Sequence, residues 1–432
     1  MPPGRTPGGA LRNLSLKATS LGLERGGRLL VAVAAAAVLG RAPFGRYVFA
    51  STVTAMLALG TDLGLGIWTT RALARGRGGD EDVVRLGLAL RALASLPYVL
   101  AVTAAALLTA EGEARAAIAW LGVAALLNAF ADHFGAVLRG YERFADEARL
   151  NASRAVLTTV SGLAALAVGR SLAALCAGMA AASLGGFAYG LATMVRLHPP
   201  ASRVAGPIFH RGRARHALRQ ALPMWLAGLV SLLYFKVDTL FLHAMAGDAE
   251  LGVYGAAYKL FEGAMLLPAV VLAVTFPQLA RAHDDPPAQR RLEQRLGASL
   301  LGLGFLVGVT LFLGRALLVE TVFGVGFRAA ERSLAVLAAG IPVLYVNFGL
   351  THFLLARNLE RVTTGLSFMM LVLNVALDVA LIPHGGGPGA AWATILSELA
   401  LTACCLGALR ATAPRRALPS SPATSRRDRR AA

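Results

Sequence analysis

Charge is scarce in this 432-residue chain, and cysteine, lysine and aromatic rings are scarcer still. Charged residues make up 15% and aromatics 7%, against 56% hydrophobic residues, which excludes a soluble domain of ordinary composition. The only cysteines, Cys176, Cys404 and Cys405, fall inside apolar stretches. With no CxxC and no Cys/His ligand spacing, a disulfide framework and a zinc site are both excluded. Acidic residues number 24 against 42 basic ones, a net charge of +18 that in a soluble protein would point to nucleic acid. Here the charge flanks apolar stretches. Membrane topology and anionic lipid headgroups therefore account for it, and no nucleic-acid partner is expected.

What the chain does have is twelve apolar stretches, near 16–39, 47–69, 86–108, 115–138, 147–168, 171–195, 220–245, 253–277, 296–320, 332–356, 362–383 and 388–410. Most reach the roughly 20 residues that cross about 30 Å of hydrocarbon as a helix. Basic residues crowd into every second gap and both ends, while the other five gaps hold only Arg41, Arg46, Arg115, Arg170, Arg328 and Arg332. The positive-inside rule then places both termini and the arginine-rich gaps in the cytoplasm of a plasma-membrane protein, as an even number of spans requires. The basic start followed by 29–39 imitates a secretory signal, but Glu24, Arg25 and Arg28 precede a short apolar run and eleven spans follow, so a retained first span is expected. The Pro/Ser/Arg-rich stretch 411–432 reads as a disordered basic cytoplasmic tail.

A short pattern occurs twice. Gly40-Arg-Ala42-Pro-Phe-Gly45-Arg-Tyr47 lies between spans one and two, and Gly247-Asp-Ala249-Glu-Leu-Gly252-Val-Tyr254 between spans seven and eight. Both read Gly-x-Ala-x-x-Gly-x-Tyr, and downstream Leu73-Ala-Arg75 recurs as Leu279-Ala-Arg281. Two matches in register at the same helix boundaries argue for duplication of a six-span unit. The expected fold is all-α and integral to the membrane: a six-helix bundle over 1–196, a cytoplasmic linker over 197–219, and a pseudo-symmetric second bundle over 220–410, around a central cavity. Such a plan suits alternating access, and no catalytic motif competes with that reading.

An ionisable group in hydrocarbon is costly unless it is paired or wet, so each one inside a span is a candidate site residue. Glu24 and Arg28 are four apart in the first span, beside Arg25, and can pair. Span seven carries Lys236 and Asp238 on nearly opposite faces. Span eight carries Tyr258, Lys259 and Glu262, the last two within i+3 reach. The chain has three lysines, Lys17, Lys236 and Lys259, all its other basic residues being arginine. In a sequence that replaces lysine so widely, two intramembrane survivors point to a compact ammonium that arginine does not imitate. Asn128 and Asp132 share a face of span four next to His133, and Asn374 and Asp378 repeat that spacing in span eleven. Arg91 lies within span three and Asp62 at the far end of span two. Glu320 and Glu398 sit near span ends, where a solvated carboxylate is expected.

The turn Gly40 to Tyr47, then Thr61-Asp62-Leu-Gly-Leu-Gly66 and Arg71-Ala-Leu-Ala-Arg75, together with Asp238, Gly247…Gly252-Val-Tyr254-Gly-Ala-Ala-Tyr258-Lys259-Leu and Phe276-Pro277-Gln-Leu-Ala, resembles the Wzx-type polysaccharide-biosynthesis flippases of the MOP superfamily, with their MATE-like fold. The resemblance covers nearly the whole chain with diffuse motifs. It implies inward-to-outward transfer of an undecaprenyl-pyrophosphate-linked oligosaccharide across a bacterial inner membrane, a cationic cavity and coupling to protons or sodium. A polysaccharide polymerase and glycosyltransferases of the same pathway are the implied partners, with no cofactor and no enzymatic activity. Asp238, Tyr254, Tyr258, Lys259 and the two glycine turns occupy recognisable family positions. Charge and depth add Arg25, Arg28, Arg91 and Lys236 as pyrophosphate ligands, with Glu24, Asp132, Asp238 and Glu262 as ion-coupling candidates. The two extra C-terminal spans of fourteen-span relatives are absent, which tells against the lipid II flippase branch. A multidrug/cation antiporter shares the plan but would favour acidic and aromatic linings. A polytopic glycosyltransferase or polymerase would need a large external loop, and the external gaps here are short.

Overall fold

The computed structural model describes residues 7–76, 80–109, 112–197, 211–282 and 285–412. The proposed tail beyond 412 and most of the linker, 198–210, lie outside them. The described residues are helical almost throughout: α1 (Pro7–Leu39), α2 (Arg41–Asp62), α3 (Leu65–Ala74), α4 (Asp80–Thr109), α5 (Gly112–Gly140), α6 (Phe144–Gly169), α7 (Leu172–Leu197), α8 (Arg211–Ala264), α9 (Leu266–Arg281), α10 (Pro286–Phe323), α11 (Ala330–Ala356) and α12 (Glu360–Ala411).

Length decides how these helices cross a bilayer. α8 has 54 residues and α12 has 52. At 1.5 Å per residue each would run about 80 Å, more than twice the hydrocarbon thickness. Each is two spans joined at a break, Gly247 (φ 80°, ψ 176°) in α8 and Gly386 (φ 52°, ψ −131°) in α12. α2 and α3 are bent by 41° and together make one span. α9 continues the second part of α8. By length and apolarity, eight helices among the described residues qualify as spans, and the α2–α3 pair makes nine. Dividing α8 and α12 and adding α1 gives twelve. The chain is a multi-pass, all-α membrane protein.

The duplicated turn is duplicated in backbone as well. Gly40 has φ 79° and ψ −176°, Gly247 has φ 80° and ψ 176°, a region that only glycine occupies without strain. Each starts a new helix, and the two helices cross at their second glycines. A Cβ on Gly45 would lie 1.8 Å from the Asp248 carbonyl oxygen, and one on Gly252 would lie 2.0 Å from that of Arg41. The contact is reciprocal, as a two-fold relation between the halves demands.

A second set of equivalent residues is visible in three dimensions. On α5, Asn128, His133 and Phe134 match Asn347, His352 and Phe353 of α11, all offset by 219. The same offset carries Ser183 of α7 to Thr402 of α12. Asn128 Nδ2 donates to Ser183 Oγ (3.1 Å), while Thr402 Oγ1 donates to Asn347 Oδ1 (2.8 Å). Ser183 Oγ donates one turn back along its own helix to the Met179 carbonyl at 2.9 Å, and Thr402 Oγ1 lies 2.9 Å from the equivalent Glu398 carbonyl, its one proton shared between that carbonyl and Asn347 Oδ1. The amide–hydroxyl pair ties the fourth span to the sixth in each lobe.

Packing differs between the two ends of the molecule. At the end carrying the glycine turns, one large buried apolar cluster runs through both lobes and includes Phe44, Tyr47, Leu251, Tyr254, Phe323 and Phe327. Arg46 bonds Asp248 at 2.9 Å across the same seam, Arg41 donates to the Gly326 carbonyl, and Phe44 meets Phe327 edge-on at 5.9 Å. At the arginine-rich end the core divides into smaller clusters: Leu73, Phe134, Leu138 and Leu150 within the first lobe, Leu279, Leu354, Met370 and Cys405 within the second, and a small one of Leu65, Leu86, Leu90, Ala214 and Ala217 where α3 and α4 meet the start of α8. The turn end is closed across the lobes. The arginine-rich end has no shared apolar core of that size.

The seam is lopsided as well. α2 and α3 pack along the first part of α8 for its whole length, with Trp225 Nε1 donating to the Leu59 carbonyl (2.8 Å) and Gly64 pressed against Ala221. α1 packs far less extensively on α8 than α2 does. A Cβ on Gly22 or Gly26 of α1, or on Gly263 of α8, would meet nothing within 4 Å. The lobes are therefore joined along α2 and α8 and stand apart along α1 and the end of α8.

Candidate functional site

The second lobe concentrates the intramembrane charge. Lys236, on the first part of α8, and Lys259, on the second, both reach Glu262. Lys236 Nζ donates to Oε1 at 2.8 Å and Lys259 Nζ to Oε2 at 2.7 Å. Both lysines and the glutamate are part-exposed. The Lys236 ammonium also lies 4.5 Å from the centre of the Tyr258 ring, a cation–π distance. Tyr258 is fixed by donating its hydroxyl to the Phe235 carbonyl at 3.0 Å. Two cations share one anion, so the cluster keeps a net positive charge next to an aromatic face.

Arg28 of α1 is close enough for its charge to act on Lys259 across the gap between the lobes. It pairs loosely with Glu24 at 3.4 Å, and these two side chains are 61% and 43% exposed, so the pair is weak and opens readily. Arg25 is part-exposed on the same helix. Lys236, Tyr258, Lys259 and Glu262 thus form one cluster in the second lobe, and α1 of the first lobe carries the Glu24–Arg28 pair.

Asp238 belongs to a separate, dry cluster. It is buried, accepts from Tyr254 Oη at 2.5 Å and from the Thr239 backbone N–H at 2.7 Å, and makes no salt bridge with Lys236. Asp378 of α12 is fully buried and near enough for its charge to interact with that of Asp238. Neither Asp378 oxygen has a hydrogen-bond partner among the described residues, and nor does Asn374 Oδ1 one turn away. Unpartnered oxygens from the Asp378 carboxyl and the Asn374 amide, with the hydrogen-bonded Asp238 carboxyl nearby, are the chemistry of an oxygen-ligated cation. The Asn374–Asp378 spacing was legible in the sequence; its meeting with Asp238 was not.

Two candidates fall away from the passage. Arg91 is 1% exposed, and its guanidinium binds the Asp62 carboxylate and the Ala129 carbonyl, so the expected pyrophosphate contact is replaced by a structural one inside the first lobe. Asp62 is held in turn by the Gly64 and Gly66 backbone N–H groups at the α2–α3 bend. Asp132 is 65% exposed and paired with Arg154 at 2.6 Å, whose guanidinium also donates to Asn128. A solvated, arginine-paired aspartate has little reason to exchange a cation. Glu398 corrects another expectation: it is 3% exposed, not a solvated span end.

With this geometry in place, residues 10–283 match the polysaccharide biosynthesis protein family. The chain belongs to that family. Two Haloferax volcanii relatives agree: the probable flippase AglR, 29% identical over 180 residues, and the probable low-salt glycan biosynthesis flippase Agl15, 24% identical over 284 residues. The matches cover 40% and 64% of this chain and 37% and 58% of the relatives, less than two thirds of either relative's length. Among solved structures, an inward-facing multidrug resistance MATE-family transporter of the MOP superfamily superposes with TM-score 0.72 over 90% of this chain and 96% of its own, at 16% identity. The lipid II flippase MurJ in an inward closed conformation gives 0.71 over 91% and 87%, at 15% identity. These likenesses establish a shared fold for the family member studied here.

Proposed function

We propose that this chain is an ion-coupled flippase that moves a polyprenyl-pyrophosphate-linked oligosaccharide across the bacterial plasma membrane for surface polysaccharide assembly. The observation that carries the reading is the lysine pair around Glu262 beside the Tyr258 ring. A pyrophosphate has to cross a region that solvates it poorly, and charge-assisted hydrogen bonds from several cations offset that loss. Glu262 holds the ammonium groups apart and in place until the cargo supplies stronger acceptors. The lipid tail remains in the bilayer where α1 and the end of α8 stand apart. The family match and the two flippase relatives support cargo of lipid-linked glycan type.

In this reading the arginine-rich connections and both termini face the cytoplasm, so the turn end is external and the described conformation accepts cargo from inside. A cation bound by Asp238, Asp378 and Asn374 biases the inward–outward equilibrium, because it binds one arrangement of the second lobe better than the other. Anionic lipids surround the arginine-rich face, and the enzymes that build and polymerise the repeat unit are the functional partners.

The test is complementation. In a strain lacking its own repeat-unit flippase, the wild-type chain restores surface polysaccharide, and Lys236→Ala with Lys259→Ala, at equal membrane abundance, does not. Full restoration by the double variant would remove the lysines from the mechanism. Drug resistance conferred without any polysaccharide would replace the cargo by an organic cation.

A further inference from the structure

We propose that Glu398 is a proton-binding site of the second lobe, separate from the Asp238–Asp378 pocket. Asn128 and Asn347 occupy equivalent places, each joined to the hydroxyl of the equivalent Ser183 or Thr402. The residue one turn before that hydroxyl is Met179 in the first lobe and Glu398 in the second, and each carbonyl lies 2.9 Å from the hydroxyl. In the first lobe the position is filled by a thioether packed against Tyr47, with the hydroxyl 3.7 Å from the sulfur. A lobe of this design folds with an apolar residue there. The carboxyl in the second lobe is an addition that the architecture does not require.

Its surroundings say what it binds. Glu398 is 3% exposed and accepts from Tyr234 Oη at 2.8 Å and from Asn347 Nδ2 at 2.6 Å. Asn347 Nδ2 also bonds the Glu398 carbonyl at 2.8 Å, and its Oδ1 is turned away to Thr402. Among the described residues no lysine, arginine or histidine pairs with this carboxyl. The side chains bonded to the carboxyl donate an O–H and an N–H, and neither brings the second carboxylate or carbonyl oxygen that a hard metal cation favours. A proton needs none. Tyr234 is the partner that works in both states: its hydroxyl donates to the carboxylate and accepts from the acid, whereas the Asn347 amide N–H only donates.

An ionised carboxyl in such a setting is costly when no cation accompanies it, so binding a proton from water and releasing it to water is tied to how far the lobe opens. The groups that face Glu398 from the neighbouring helices are Tyr234 and Tyr258 on α8 and Asn347 on α11, with Cys405 on its own helix. Tyr234 lies one helical turn from Asp238, so the proton site and the cation pocket sit on the same stripe of α8. This inference extends the ion-coupled reading by naming a second ion and its residue, and it stands whatever the cargo.

Infrared difference spectra of the purified full-length protein in lipid vesicles, titrated from about pH 5 to about pH 10, test it without any substrate. The expected result is a buried carboxylic-acid band that fades as pH rises, is lost in Glu398→Gln and is shifted in Tyr234→Phe, which removes one hydrogen bond. Glu398→Met, which installs the residue of the first lobe, should still fold, with a melting point lowered because the Tyr234 hydroxyl loses its acceptor, and should lack the same band. Spectra of wild type and both Glu398 variants that superimpose would overturn the proposal. So would a Glu398-dependent band that does not respond to pH, because such a group exchanges no proton. None of these outcomes depends on whether the complementation experiment succeeds.

Discussion

Adding one methyl group at the lobe seam should open the turn end of this protein. The Cβ of Gly45→Ala would stand 1.8 Å from a backbone oxygen of Asp248, and that of Gly252→Ala 2.0 Å from the Arg41 oxygen. Both obstacles are main chain, so no side chain can swing aside. Restoring ordinary contact separates the two helices by roughly 1.5 Å, far enough that dispersion contacts along the seam are largely forfeited. The Arg46–Asp248 pair and the Phe44–Phe327 edge contact both sit on that seam. Together such contacts contribute about 1–3 kcal/mol. Losing about 2 kcal/mol moves a two-state equilibrium by a factor of about 30. Spin labels at Leu108 and Val325, exposed residues beside turns of opposite lobes, in a background with the native cysteines replaced, report the distance directly. Either alanine variant should shift the distribution to longer distances, and by similar amounts because the contact is reciprocal. Gly263→Ala, whose Cβ meets nothing within 4 Å, should leave it unchanged. Unaltered distances in both seam variants would refute the claim that this crossing holds the turn end shut.

Breaking the Arg91–Asp62 pair, in which the arginine is buried and the aspartate one-third exposed, by Arg91→Leu should cost about 1–3 kcal/mol, and Asp62→Leu on top of it should recover part of that loss; thermal unfolding in detergent measures both. Trp225→Phe removes the bond to the Leu59 carbonyl and should lower stability by about 1 kcal/mol without altering surface-polysaccharide complementation. Asp132→Asn should leave complementation intact, since its carboxylate is solvated and paired; loss of function would return it to the list of coupling residues. Asp378→Asn should weaken the sodium or proton dependence of transport while preserving expression.

Local geometry was readable from the chain, and long-range pairing was not. The Gly-x-Ala-x-x-Gly-x-Tyr repeat identified two turns whose backbone angles agree within a few degrees, because only glycine fits there. The i+3 and i+4 spacings found Lys259–Glu262 and Glu24–Arg28. Lys236 pairs with the same Glu262 from 26 residues away, across the break at Gly247, and no periodicity reveals that. The Asn128–Asn347 equivalence does not stand out in the chain because its offset is 219 while that of the glycine turns is 207, the connecting segments having different lengths. Arg91 and Glu398 were misplaced for a shared reason. Depth along a span says nothing about which way a side chain faces, and their partners, Asp62 and Tyr234, come from other helices.

The account rests on two lysines and a bridging glutamate handling a lipid-linked anion between the lobes. The most direct measurement is transbilayer movement of a polyprenyl-pyrophosphate oligosaccharide with a fluorescent sugar head group, in vesicles containing the purified chain. Wild type should move it, and Lys236→Ala with Lys259→Ala should slow it by at least about tenfold, the effect of losing roughly 1.4 kcal/mol of charge-assisted binding. Equal rates for the two proteins, at equal incorporation and unchanged melting, would contradict the account.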